Sequence, residues 1–418
     1  MTSLSHEWLL LRRSRTSVAA LALLFALSIA AVCIGLAEVD RQRAQQREFV
    51  ELQGQETSAL ASSIVKTGDA GYAAYYSFHP TWNPPSALAF AALGFRDVAP
   101  QTLRVRALGL EAQLYENESF NPEMALSGRF DFAFVVIYLA PLFVIALLHD
   151  LTSRERESGR LPLLVAVSRN IRRVWWMRVL LRAVLIAMAL LFPFFIAAWR
   201  EGASPASATQ FGAVAVAYIV FWAVLVRSIG ALKWSSAAHA GALVAVWATL
   251  TLALPTAAQA VIARSVPVDQ GMELTLAHRQ AVHSAWDIPK EATMQAFFES
   301  HPEWQDTPPI TGQFHWKWYL AFHHVGDQRV AEQARRYREG LLERQRLTGR
   351  AALVLPPVAA QMFLHRLGKT DLPAQLGFED AIRAYHSELR RFYYPYLFNE
   401  KLFGREDFDK APVFSPPR

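Results

Sequence analysis

A single cysteine, Cys33, stands among the 418 residues, inside an apolar run. No disulfide within the chain is possible, so any part facing an oxidising compartment must fold without one. Charge is scarce as well. Asp, Glu, Lys and Arg make up 19% of the chain, against about 25% in a soluble domain. The shortage is uneven: several long windows are almost empty of charge, and 53% of all residues are hydrophobic. That distribution points to an integral membrane protein. The net charge of +6 does not indicate nucleic acid, because the basic excess clusters beside the apolar runs, where membrane topology explains it.

Catalytic motifs are also missing. There is no HExxH, and serines such as Ser77 and Ser284 lie in no G-x-S-x-G context. Gly368–Thr370 reads GKT, like the tail of a phosphate-binding loop, but the glycine needed five positions earlier is Phe363. A glycine at a helix C-terminus followed by a turn explains it better. His323 and His324, with Asp327 and His315 nearby, invite a metal reading. Adjacent histidines leave a helix on different faces, and Trp316, Trp318, Tyr319 and Phe322 around them suit the edge of a core. No metal and no cofactor is expected. His239, at the inner end of the fifth apolar run, reads as interfacial. The Asn117–Ser119 sequon carries no chemistry alone, and most tryptophans read as membrane-belt or packing residues.

What the chain does have is five runs long enough to cross a bilayer: about 17–37, 130–148, 179–199, 211–226 and 237–262, the last with Pro255 placed to kink it. The first continues into the charged AEVDRQRAQ and reads as an uncleaved anchor rather than a signal peptide. Arginines orient the set. Three precede the first run, and eight lie between positions 150 and 182 against Asp150, Glu155 and Glu157. Positive-inside counting therefore puts residues 1–16 and 149–177 in the cytoplasm, and 38–129 and 263–418 outside, with three spans in 178–262. No window after 263 reaches 18 apolar residues. AALVLPPVAAQMFLHRL (351–367) holds a Pro-Pro pair and reads as a buried or interfacial helix. The expected fold is an all-α integral membrane protein of five transmembrane helices with a mostly helical extracytoplasmic domain. That domain draws on both outside segments: 38–66 as a helix extending the first span, 68–90 as a structured loop, and helices over 326–348 and 377–392.

One cytoplasmic stretch stands out: HDLTSRERESGRLPLL, 149–164. Residues 152–166 read as a short amphipathic helix. Thr152 or Ser153 is placed to cap it, Glu155 completes a capping box, and Glu155 and Glu157 sit in the first turn, where the helix dipole favours acids. Leu161, Leu163, Leu164 and Val167 supply an apolar side, with the charges towards water and a break at Gly159.

Residues 130–164 resemble the second-span region of ABC-2 type permeases, which often carry D-x-x-S-x-E-R-E-x-G-T-L-x-x-L just after that span. Asp150, Ser153, Glu155, Arg156, Glu157, Gly159, Leu161 and Leu164 match; Arg160 stands in place of the common threonine. NPEMALSGRFDFAFV (121–135) and LPPVAAQMFLHRLGKTDL (355–372) resemble a subgroup with large extracytoplasmic insertions and no assigned substrate. The resemblance implies a membrane subunit in the plasma or inner membrane, working as a homodimer or with a second permease. It also implies that ATP is hydrolysed by a separate ATPase subunit. Asp150, Ser153, Arg154, Glu155, Arg156, Glu157, Gly159, Leu161 and Leu164 would form the coupling segment. Glu155, Arg156 and Glu157 would touch the ATPase, and Gly159 would let the helix end close to it. Such permeases usually have six spans and end inside, whereas five are legible here. The competing readings are a membrane-anchored scaffold with an outer partner-binding domain and a membrane-bound hydrolase. The absence of a nucleophile–base motif counts against the hydrolase.

Overall fold

The structure, a computed structural model, describes residues 3–64, 68–115, 129–168, 170–268 and 271–417. Helix α1 (Ser3–Arg13) leads into α2 (Arg15–Ile64), whose 50 residues span about 75 Å at 1.5 Å per residue. Its first half is apolar and its second half polar, and no proline interrupts it. Helix α3 (Ala70–Tyr76) starts at Asp69, whose carboxylate accepts from the Gly71 and Tyr72 N–H groups. Strands β1 (His79–Trp82) and β2 (Thr102–Val105) pair antiparallel, with His79 opposite Val105. Helix α4 (Glu111–Tyr115) follows.

The second apolar run is one continuous helix made of α5 (Phe132–Phe134), a π-helical turn at Val135–Leu139 and α6 (Ala140–Leu148). Short helices α7 (Ser153–Glu157) and α8 (Leu161–Val167) come next, then α9 (Ile171–Arg200) and α10 (Pro205–Ile229). Side chains of Asn170 and Ser204 cap the last two. Helix α11 (Ser236–Ala248), capped by Ser235, passes through a second π-helical turn at Thr249–Ala253 into α12 (Leu254–Ser265). The rest is α13 (Gly271–Ser284), α14 (Lys290–Ser300), α15 (Trp316–Ala352), α16 (Pro356–Gly368), α17 (Leu372–Phe398) and α18 (Arg405–Phe408).

Five helices among the described residues are long and apolar enough to cross a membrane: Arg15–Ile64, Phe132–Glu157, Ile171–Arg200, Pro205–Ile229 and Ser236–Ser265. The two π turns sit just before prolines. A proline ring has no N–H and collides with the carbonyl four residues back, which is Ile137 for Pro141 and Thr251 for Pro255. The ladder opens there into bonds spanning five residues, Ala140 N–H to Val135 O and Leu254 N–H to Thr249 O. Tyr218 Oη donates to the freed Ile137 carbonyl at 3.1 Å. The expected kink at Pro255 is thus a π turn.

Two cores result. One joins the apolar helices with the segment Leu88–Leu93 and with Ala360 and Leu364 of α16. It contains a stack of Phe90, Phe132, Phe194 and Phe211, centroids 4.8–6.1 Å apart. Asp131 ties the parts together, accepting from Phe134 N–H at its own helix start and from Leu93 N–H, both at 2.8 Å. The second core draws on residues 64–115 and 274–414, so both long polar segments do build one unit. The loop expected over 68–90 is instead α3, β1 and a buried 3-10 turn at Ala89–Ala91. Two short strands are the exception to the all-α expectation.

A Cβ on Gly35 would meet the Phe90 carbonyl oxygen at 1.9 Å, whereas one on Gly54 would meet nothing within 4 Å. Gly35→Val is therefore expected to cost at least about 2 kcal/mol by overpacking and to lower the melting temperature in detergent. Gly54→Val should leave it within about a degree, since exposed substitutions cost little. Equal melting temperatures for the two variants would contradict the docking of Leu88–Leu93 on α2.

Candidate functional site: the segment between the second and third apolar helices

A four-residue turn, His149–Thr152, joins α6 to α7 with helix-like bonds on either side of it. His149 N–H bonds Ile145 O, Arg154 N–H bonds Asp150 O, and Arg156 N–H bonds Thr152 O. This overturns the expected capping box. Thr152 has helical backbone angles and makes no side-chain cap; a capping residue takes an extended backbone that turns its hydroxyl back to the next turn's N–H groups. The break falls at Gly159 (φ +68), a left-handed conformation that suits glycine. The expected single helix over 152–166 is thus two, α7 and α8, meeting at that turn.

The charges of α7 are not simply turned to water. Ser153 is fully buried, with its Oγ 2.9 Å from Ser236 Oγ. The Glu157 carboxylate accepts from the Ser236 N–H at 2.7 Å and from its hydroxyl at 2.9 Å. Glu157 thereby adds an acid at the start of α11, where the helix dipole favours it. Arg156 donates to the carbonyls of Trp234 and Leu232, in the α10–α11 connection. Glu155 accepts from Arg178 of α9 at 3.1 Å and pairs with Arg160 at 3.1 Å. Arg178 is itself only 5% exposed. Its Nε donates to Glu7 of α1 at 2.8 Å, and its guanidinium lies over the Trp175 ring. Glu155, Arg156 and Glu157 therefore bind the segment to α1, α9 and α11.

Other residues face outward. Arg154 is exposed and lies 3.8 Å from Asp150. A Cβ added to Gly159 would meet nothing within 4 Å. On α8, Leu161 and Leu164 are half-buried, while Leu163 and Val167 are 67% and 86% exposed. The apolar side of α8 is thus largely uncovered in the isolated chain. His239, expected at the interface, is fully buried beside Trp234. Sequence reading finds the segment but misses Glu7, Arg178 and Ser236, which lie far from it along the chain. The only local sign is an arginine abutting the third apolar run.

A further polar cluster lies in the second core. Asp327 accepts from the N–H groups of Leu110 and Glu111 and from Arg390 at 2.7 Å, and sits 3.0 Å from His278 Nε2. Burial alone would raise its pKa, but the Arg390 charge and the His278 hydrogen bond outweigh burial and hold the carboxyl well below the usual range. His323 and His324 do leave α15 on different sides. His323 packs on Tyr319 and Phe322, and His324 reaches Arg390 and His301. His386 bonds the Leu108 carbonyl at 2.7 Å. Burial, reinforced by Arg390, lowers His323, His324 and His386 to about 3. Among the described residues no group of three or more His, Cys, Asp or Glu is arranged to hold a metal. Thr370 of the GKT stretch donates to the Ala92 carbonyl at 2.7 Å. The left-handed residue there is Lys369 (φ 51), not Gly368, which instead sits close to the Ala92 carbonyl. The Asn117–Ser119 sequon and residues 121–128 of the resembling flank lie outside the described residues.

The architecture is that of an all-α protein with five long apolar helices, compatible with membrane insertion, and a helical second core. A protein-family profile described as a domain of unknown function, DUF3526, matches residues 272–416, which supply the C-terminal part of that second core and also α16, which packs in the first. No curated protein and no solved structure matches the chain.

The buried charges make this arrangement testable. Arg178→Ala leaves Glu7 and Glu155 buried without their shared partner and is expected to cost about 3–5 kcal/mol, read as a lower melting temperature. Arg178→Met with Glu7→Gln and Glu155→Gln should recover most of the loss, and no difference between the two would contradict the triad. The three histidines are neutral in the folded state but titrate near 6.5 when unfolded, so their contribution is fully present above 6.5. It is lost as pH falls from 6.5 towards 3, at about 1.4 kcal/mol per unit for each histidine. His324→Gln should make melting temperature less steep between pH 7 and 5, and an unchanged slope would contradict its burial as the neutral form.

Proposed function

We propose that this chain is the membrane subunit of an ABC-2 type ATP-driven exporter. Residues 149–168 form its cytoplasmic coupling segment. The observation that carries the reading is the three-way anchorage of α7 to α1, α9 and α11, beside an α8 whose apolar side is uncovered. A rigid, anchored segment can pass on a partner's movement, whereas a floppy loop cannot. The five apolar helices cross the plasma or inner membrane with the N-terminus inside, and the core built from 64–115 and 274–414 lies outside. A separate ATPase supplies the energy, and a second permease chain, identical or not, completes the pathway.

The anchorage changes the expected contact. Glu155, Arg156 and Glu157 hold the segment in place. Arg154, Leu163 and Val167 present themselves to the ATPase.

Mild-detergent purification of the tagged chain, with mass spectrometry of what co-purifies, tests this. The wild type is expected to bring down a protein with Walker A and B motifs. Leu163→Asp/Val167→Asp should lose it while keeping the wild-type melting temperature. If no such ATPase accompanies the wild type, the coupling reading fails, and a membrane-anchored scaffold with an outer binding domain takes its place.

A further inference from the structure

The turn between α15 and α16 and the helix after it carry three large apolar residues in the open: Leu353, 86% exposed, and Val354, 75%, in the turn, and Phe363, 55%, on α16. Turns at a water-exposed surface are built from Gly, Asn, Asp, Ser and Pro. This one reads Leu-Val-Leu-Pro-Pro. From Ala351 to Leu364 the chain has no charged residue. Those 14 residues are too few to span a bilayer and of the length typical of re-entrant segments.

Three contacts fix the depth of the turn relative to the apolar helices. Arg344 Nε donates to the Val266 carbonyl at 2.9 Å, and Gly340 packs on Val268. Helix α15 therefore meets α12 at its outer end and runs antiparallel to it. From Arg344 to Ala352, α15 advances about 12 Å, alongside α12 towards its apolar middle. Helix α16 then packs on α10 and on both π turns, Val135–Leu139 and Thr249–Ala253. The second of these lies midway along the 30-residue fifth apolar helix. Ala360 and Leu364 are buried in the core of the apolar helices, not in the outer core.

We propose that residues 351–364 form a re-entrant hairpin immersed in the acyl chains of the outer leaflet. The assignment rests on the membrane reading of the five apolar helices and goes beyond it. Hydrocarbon tolerates a turn only if its backbone donors are satisfied. The N–H groups of Leu353, Val354 and Leu355 bond to Arg350 O, Ala351 O and Ala351 O. The next two residues, Pro356 and Pro357, have no N–H to leave orphaned. The proline pair that rules out a spanning helix is therefore what permits a turn at this depth. Cations flank the hairpin in sequence, Arg346 and Arg350 before it and Arg366 and Lys369 after it; Arg350, close to the turn by the same rise, reaches the headgroups only by extending its long side chain upward. Leu353, Val354 and Phe363 extend the apolar surface of Leu252, Leu254 and Val261 on the neighbouring fifth helix, all of them exposed.

Spin labels report depth directly. With Cys33→Ala removing the native thiol, the full chain carries one label at a time at Leu353→Cys, Val354→Cys or Phe363→Cys in phosphatidylcholine liposomes. Leu180→Cys on α9 serves as the lipid-facing reference and Val413→Cys as the aqueous one. The three hairpin labels are expected to resemble position 180, with high accessibility to oxygen and at least about tenfold lower accessibility to a nickel chelate than position 413. Chelate accessibility matching 413 at the three positions, with 180 still lipid-like, would overturn the hairpin alone. Low accessibility to both reagents would place a second copy of the chain there and overturn the lipid assignment. An aqueous signal at 180 would overturn the membrane reading and the hairpin with it.

Discussion

A guanidinium taken out of water must be matched by charge, and the Arg178 guanidinium is matched by two carboxylates from distant parts of the chain, Glu7 and Glu155. A buried ion pair adds little net stability, because desolvation offsets most of its Coulomb energy. What it does is fix register, since any arrangement that separates the partners leaves a charge buried alone. The position of α1 against α9, and of α7 against both, follows from that constraint. Glu157 on Ser236 then adds α11 to the same cluster.

The anchored segment continues a helix that has a soft point. From Phe132 to Glu157 the chain is helical, and its π turn at Val135–Leu139 is where Pro141 has opened the ladder. π turns of this kind recur at functional sites because they let a helix change its pitch locally. The fifth apolar helix carries a matching turn before Pro255, and α16 rests on both. In the proposed transporter, movement of α7 reaches the outer half of the membrane through these two turns. The second core is joined to the apolar helices by the packing of α16 as well as by the continuous α2.

Much of this is legible in the sequence, and what is not has a physical reason. The five apolar helices announce themselves by length and lack of charge, and α2 continues beyond the apolar run because nothing in 38–64 breaks a helix. The Gly159 break is legible for the same local reason. The expected capping box fails because Thr152 has the right chemistry on the wrong backbone: its helical angles do not turn the hydroxyl to the N–H groups of α7. Glu155, Arg156 and Glu157 look free in the sequence because their partners lie 23 to 79 residues away, and no local pattern records such a distance. The docking of α16 is hidden similarly. Its proline pair argues correctly against a span, but whether a non-spanning apolar helix lies in the outer core or among the apolar helices depends on contacts alone.

The central claim is that residues 153–160 are a rigid, anchored element and not a charged loop. Hydrogen–deuterium exchange of the full chain in detergent or nanodiscs reads this directly on peptides covering 150–160. The N–H groups of Arg154, Arg156, Ser158, Gly159 and Arg160 are all bonded within the segment, so exchange is predicted to be slow. It should accelerate at least about tenfold in Glu157→Gln/Arg178→Met, where the anchors are cut and local opening becomes cheap. Exchange in the wild type as fast as in an unstructured peptide, or unchanged by cutting the anchors, would contradict the account.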